Sequence, residues 1–448
     1  MRREEARALL DRVLAIAGSR ELEASIGGGE NYLTRFANNE ITQNVAERRH
    51  VLSVRVAQGK RSGRATGNDW SAAGIARLVA RAEEAARVAP ESNDAVPLLG
   101  PQSYREVDAV DPATASLGPE ARAREVGRAV ARTRAAGLDG AGIFETGHGT
   151  IGDYGELGTL ALANTKGLFA YHIETSATFS MTALRGTESG WAAAQSHAAS
   201  AIDGDALAAR AVDKALRSRE PKTWSPGSYD VVLEAAAVSD LLYELNDTSF
   251  GALALQEGRS FLEGKMGTAV FGPEITIRDD PYHPLHRGAP FDGEGVPAQT
   301  ITIIDRGVAR SVVYDRRTAA KAGRESTGHG LPYPNSAGPV ARHLVLEGGT
   351  ASLDELIAGV ERGLLVTRVW YTNVVDPKSV MVTGMTRDGL FAIERGKVTH
   401  AVRNFRFNQG VVESLQRVDG MTPTERAGGV VCPALRVRGF RMSSVTEF

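Results

Sequence analysis

The hydrophobic period changes twice within the first 90 residues, and this limits the possible folds more than any other feature of the chain. Ala6, Leu9, Leu10, Val13, Leu14 and Ala17 recur at helical spacing with charges between them, which predicts an amphipathic helix over 4–17. The period then becomes two. A strand is expected at 21–26, Gly27-Gly28-Gly29 is expected to break it, and Tyr32, Thr34 and Phe36 alternate with their neighbours. Asn38-Asn39 suits a hairpin turn, because Asn tolerates the left-handed backbone region such turns require. Strands at 41–47 and 51–57 follow, with a second tight turn at Gln58-Gly59-Lys60. Helical spacing returns over 71–88 through Ile75, Leu78, Val79, Ala82 and Ala86. The order is helix, β-meander, helix.

Five prolines between Pro90 and Pro119, with little periodicity, predict a long connection over the surface. A helix at about 120–136 is expected next, then strands near 142–150, 158–163 and 168–184, with a turn at Asn164-Thr165-Lys166-Gly167, and a helix at about 205–218. The punctuation of Glu220 to Gly227, with Pro221, Pro226 and Gly227, marks a domain boundary. The second half opens with a strand at Tyr229–Leu233 and a helical stretch through 235–257. Short strands are expected at 274–278, 300–305, 308–314, 343–347, 364–370, 379–383, 390–394 and 434–440, with helices near 315–322 and 352–359. The reading is an α+β protein of two domains. Residues 1–222 form an N-terminal helix/β-meander α/β domain, and residues 228–448 a β-rich C-terminal domain with scattered helices.

At 448 residues the chain is long enough to bury a sizeable core. Its net charge of −2 lacks the basic balance of a nucleic-acid binder, so no nucleic-acid partner is expected. Arg48-Arg49 and Arg316-Arg317 read as solvated surface. No run of 18 apolar residues suggests a membrane span, and Glu4, Glu5 and Asp11 interrupt any secretory apolar region. A single cysteine, Cys432, excludes an internal disulfide framework, and a cytoplasmic location is expected.

Motifs that carry chemistry are sparse. The one G-x-G-x-x-G, Gly147 to Gly152, is expected to lead into a strand rather than the helix a dinucleotide site needs. No H-E-x-x-H or H-E-x-x-x-H occurs, so two histidines and an activating glutamate are not offered on one helical face. The close pair His283 and His286, with Asp279 and Asp280, is interrupted by two prolines and reads as a loop against an atypical metal site. His148 and His329 each stand between glycines. Cys432, before Pro433 and an apolar run, reads as a small buried hydrophobe at a strand start, and Ser260 has no assignable base. In Pro290-Phe291-Asp292-Gly293-Glu294-Gly295, Asp292 and Glu294 are candidates for holding a cation or a peptide's amino terminus, against a tight loop anchored by Phe291.

Several segments, taken in order, resemble the TldD/TldE (PmbA, modulator of gyrase) family. They are Arg35 to Gln43, Gly59 to Gly63, Ser260 to Gly267, Pro290 to Gly295, Tyr314-Asp315 with its following helix, and Thr386 to Lys397. The resemblance implies a zinc metallopeptidase complex acting on small or unfolded peptides. Its TldD-type members carry H-E-x-x-x-H on a helix early in the second domain and a later ligand cysteine. The matching positions here are Tyr243, Glu244 and Thr248, so only the glutamate is kept, and Cys432 does not clearly match the cysteine. The chain therefore resembles the TldE type. No cofactor is expected in this chain, and zinc is expected in a motif-bearing TldD-type partner subunit. Arg324, His329, Asn335, Asn404 and Arg406 are candidates for lining a shared peptide cavity. Two other readings stay open: a stand-alone metalloenzyme using the His283/His286 loop, and a peptide-binding regulatory module.

Overall fold

A computed structural model describes residues 1–18, 20–150 and 158–446. The first half begins with α1 (Arg3–Leu14) and the meander β1 (Glu21–Ala37), β2 (Glu40–Gln58) and β3 (Arg61–Gly67), followed by α2 (Ala72–Val88). The proline-rich connection contains the short α3 (Pro112–Ala115), and after it come α4 (Pro119–Ala135), β4 (Asp139–Gly149), β5 (Thr159–Asn164), β6 (Phe169–Tyr171), β7 (Glu174–Arg185), β8 (Glu188–Ser196) and α5 (Gly204–Arg217). One sheet runs β3-β2-β1-β4-β7-β8, with β5 and β6 attached beside β1. Helices α1 and α2 cover one part of it over Leu10, Val13, Leu52, Val54, Leu78 and Ala82. Helices α4 and α5 cover another over Val126, Phe144, Phe179, Ala208 and Ala211.

Asn38 and Asn39 have φ of 51° and 61° and make the expected hairpin turn. The Asn39 side chain also accepts from the Gly140 N–H at 2.8 Å and donates to the Leu138 carbonyl at 2.8 Å, pinning the hairpin tip to the start of β4. The glycine triplet does not break β1. It lies where the strand changes its second neighbour, from β5 (paired through Glu23–Gly27) to β4 (paired through Glu30–Phe36). A Cβ on Gly29 would come within 2.6 Å of the Gly149 Cα, so the triplet is needed for close approach of backbone rather than for a turn.

The second half carries β9 (Gly227–Leu233), α6 (Ala235–Ser249), α7 (Ala252–Gln256), β10 (Ile277–Asp279), β11 (Ile301–Asp305), β12 (Val308–Ala309), α8 (Arg316–Lys321), β13 (Leu344–Leu346) and α9 (Leu353–Ala358). Next come β14 (Arg362–Val366), β15 (Val369–Asp376), β16 (Met381–Thr386), β17 (Leu390–Glu394), β18 (Lys397–Ala401), β19 (Phe405–Gly410) and α10 (Val411–Gln416). The last strands are β20 (Val418–Met421), β21 (Glu425–Ala427), β22 (Val430–Cys432) and β23 (Leu435–Val445). They form two sheets, β15-β16-β19-β23-β9-β14-β17-β18 and β12-β11-β10-β13-β22-β21. α6 lies in the shared core, burying Ala237, Val238, Leu241, Leu242 and Leu245 with Phe405, Phe407 and Phe440. The helix expected through 235–257 is two helices. At Gly251 a Cβ would lie 2.4 Å from the Pro339 carbonyl oxygen, so the chain bends there to let that loop approach.

The proline-rich connection is not merely a surface loop. Val96, Leu98 and Ala109 are buried. Pro97 accepts from Arg316, and the Tyr104 hydroxyl donates to the Gly295 carbonyl at 2.7 Å, so the segment straps the two halves together. Leu162, Leu168 and Ala170 pack against Phe291 at the same junction. No helix among the described residues is long and apolar enough to cross a membrane.

Candidate functional site

The outermost strand at one end of each sheet points to the same place. β8 ends the first sheet, β15 the second and β21 the third. Trp191–Gln195 of β8, Val369–Thr372 of β15 and Glu425–Ala427 of β21 line a cavity of about 530 Å³ whose floor is the face of α6 carrying Ala236, Ser239 and Asp240. A second cavity of about 430 Å³, beside Gly29–Asn31, Glu145, His148 and Glu174, shares Thr178, Gln195, Arg426 and Gly428 with it. The two form one groove between the halves. An edge strand carries backbone N–H and C=O groups not used by a neighbouring strand, and such edges accept an extended segment as an added strand.

Two of the groove's cations have close acidic partners. Lys214 Nζ lies 2.6 Å from Glu234 at the start of α6. The Arg368 guanidinium bonds Asp388 at 3.0 Å and is sandwiched between Trp191 and Trp370, at 4.4 Å and 4.7 Å from their ring centroids. Tyr371 sits beside this stack with φ of 51°, at a register shift in the pairing of β15, and is 69% exposed. Asp240 and Glu244 are one turn apart on α6. Burial pushes the Asp240 carboxyl up to about 6, Arg368 opposes this, and Glu244 adds to it. Burial also raises Glu244, against a hydrogen bond from Thr372.

The positions matching H-E-x-x-x-H do not fit a zinc ion. Tyr243 is exposed, and the buried Thr248 hydroxyl donates back to the Glu244 carbonyl at 2.8 Å. Cys432 ends β22 rather than starting a strand, because Pro433 stops the ladder. It is fully buried, its thiol is pushed upward by burial, and Sγ donates to the Ala235 carbonyl at 3.4 Å. That contact is roughly 12 Å along α6 from Tyr243 at the helical rise per residue. Among the described residues no group of three or more His, Cys, Asp or Glu side chains is placed to hold a metal ion.

The His283/His286 loop does not form a metal site either. His286 is buried with Nε2 on the Leu344 carbonyl at 3.0 Å, and Asp280 accepts from Thr300 and Tyr282. Asp279 is fully buried, with His329 Nε2 at 2.9 Å from Oδ1 and the His343 N–H donating to Oδ2 at 2.7 Å. Asp292 and Glu294 are not open to a cation or a peptide. Asp292 accepts from the backbone N–H groups of Glu294, Val296 and Gly330, and Glu294 accepts from that of Arg316. They form the tight loop anchored by Phe291.

The five candidate lining residues are scattered. His329 is buried on Asp279. Arg324 lies over Tyr314, Asn335 caps its own turn through Gly338 and Ala337, Asn404 accepts from Thr386, and Arg406 projects from β19 into solvent. None of the five lines either cavity of the groove. The groove residues Trp191, Asp240, Arg368, Trp370 and Tyr371 were not among the sequence candidates. The available signal was the basic-aromatic run Arg368-Val369-Trp370-Tyr371. Of the G-x-G-x-x-G stretch, Gly147 to Gly149 are in β4 and residues 151–152 lie outside the described residues.

Three consecutive stretches match the PmbA/TldA metallopeptidase family: domain 1 over residues 22–86, the central domain over 115–219 and the C-terminal domain over 226–444. The chain belongs to the PmbA/TldD metallopeptidase family. Proteins similar to this chain include a metalloprotease of Methanothermobacter thermautotrophicus, 27% identical over 51% of this chain and 50% of that protein. A metalloprotease TldD homolog of Haemophilus influenzae is 27% identical over 48% of this chain and 46% of its own length. The matches thus span about half the length of these relatives. The fold of the PmbA/TldD chain described here is that of TldE from Thermococcus kodakarensis, with a TM-score of 0.85 at 20% identity, covering 97% of this chain and 100% of that one.

Proposed function

We propose that this chain is the TldE-type subunit of a zinc metallopeptidase assembly, and that its groove receives an extended stretch of a small or unfolded peptide. The convergence of the end strands of three sheets on one cavity carries this reading, since strand edges can offer backbone hydrogen bonds to an extended sequence. The floor of the groove is the helix on which the family's zinc motif falls, and here that helix has no histidine. Zinc and its activated water are accordingly assigned to a motif-bearing TldD-type partner. This chain contributes binding and orientation of the peptide in the cytoplasm.

Filling the groove tests the reading. Ala193 lies in β8 two residues from Trp191, on the cavity wall. Ala193→Trp, mixed with the motif-bearing relative, is expected to lower turnover of an unstructured peptide by about tenfold or more, the equivalent of at least one 1.4 kcal/mol step. Assembly by size-exclusion chromatography should be unchanged. Unaltered turnover by the assembled variant would count against the groove as the peptide's path.

A further inference from the structure

The floor of the groove holds a part-buried carboxylate whose charge the protein leaves without a direct partner. Lys214 is taken by Glu234, and Arg368 by Asp388 and its two tryptophans. Arg426 donates to the Leu285 carbonyl. Asp240, on the cavity floor, makes none of the hydrogen bonds or ion pairs found among the described residues, although Arg368 is near enough to be felt. Glu244 follows four residues later, so their Cβ atoms lie about 5–6 Å apart on one side of α6, and the charge of Glu244 disfavours that of Asp240. Exposed Tyr371 and part-buried Trp370 stand on the facing strand.

We infer that Asp240, supported by Glu244, is a subsite for an ammonium group of the peptide lying in the groove. The inference rests on the reading of the groove as a peptide site. An ammonium placed there gains a charge-assisted hydrogen bond in a partly water-excluded cavity and relieves the repulsion between the carboxylates. Among the described residues no group of three or more His, Cys, Asp or Glu side chains is placed there to hold a metal ion instead. The walls also offer apolar surface for the methylene stem of a lysine. Burial, which already raises the Asp240 carboxyl, would be offset by such a cation. The ammonium has two sources, the peptide's amino terminus and a lysine side chain.

Fluorescence anisotropy of four short, unstructured, C-terminally labelled peptides, with the full-length chain, tests this. One has a free amino terminus and no Lys or Arg, and the second is its acetylated form. The third is acetylated with a central lysine, and the fourth carries norleucine at that place. At least one ammonium-bearing peptide is expected to bind about tenfold more tightly than its uncharged counterpart, as for one hydrogen bond to a charged group. Which one does so identifies the source. Asp240→Asn should abolish the preference and leave binding of the uncharged peptides intact, while Asp240→Glu should retain it. A preference unchanged in Asp240→Asn, or equal binding of all four peptides by the unaltered chain, would overturn the subsite while leaving the peptide groove standing. Failure of any peptide to bind would sink both.

Discussion

Asp279→Ala is expected to destabilise the chain by about 3–5 kcal/mol, enough to unfold a marginally stable domain. The carboxylate is fully buried and joins three segments: β10, the Gly-rich loop at His329, and the start of β13 through the His343 N–H. Burial by itself drives this carboxyl upward, but the nearby His329 and His343 hold it below its ordinary value. Alanine removes the acceptor and leaves a buried imidazole N–H and a backbone N–H without partners. Asn is the informative comparison. His329 Nδ1 lies 2.9 Å from the Thr327 carbonyl, so the ring can move its proton there and let Nε2 accept from the Asn amide. Asp279→Asn should then cost only about 1–2 kcal/mol. Urea unfolding of the three proteins checks this. A loss below about 1 kcal/mol in Asp279→Ala would show that the cluster is not a structural clamp.

Acidification below about pH 6.5 should weaken the fold steeply, well before the carboxylates protonate. His172 and His286 are buried, and burial holds each down at about 4. Above pH 6.5 both are neutral whether folded or unfolded, so they contribute no pH dependence. Between 6.5 and 4 the unfolded chain takes up protons that the folded chain refuses, and stability falls by about 1.4 kcal/mol per pH unit for each histidine. By pH 5 the two together should cost roughly 4 kcal/mol. Asp279, held low, adds its own loss only at still lower pH, as that carboxylate protonates. Thermal melting across pH 5 to 8 reads this directly. A midpoint that stays flat, or a His172→Phe, His286→Leu variant that keeps the full acid sensitivity, would contradict it.

The parts of the fold legible in the sequence are those set by local chemistry. The Asn38-Asn39 turn, the helices now seen at 72–88, 119–135 and 204–217, and the Asn164 turn fall where period and turn residues place them. What was missed depends on distant partners. β8 is rich in alanine and is held as a strand by its ladder with β7 and by the cover of α5, neither of which periodicity reveals. β18 to β22 are three to six residues each and too short to show a period. Gly27-Gly28-Gly29 looked like a break because its requirement is the backbone of Gly149, more than a hundred residues away.

The groove was invisible for the same reason. Its walls come from residues near 191, 370 and 426, and only the sheet order brings those edges together. The family resemblance directed attention to α6, at Tyr243, Glu244 and Thr248. The cavity instead opens one turn earlier, at Asp240.

The most direct test of the account is zinc content and peptidase activity of this chain alone, of a motif-bearing TldD-type relative alone, and of the two mixed. The account predicts no stoichiometric zinc in this chain by itself and peptide turnover only in the mixture. Zinc and turnover in this chain alone would contradict it.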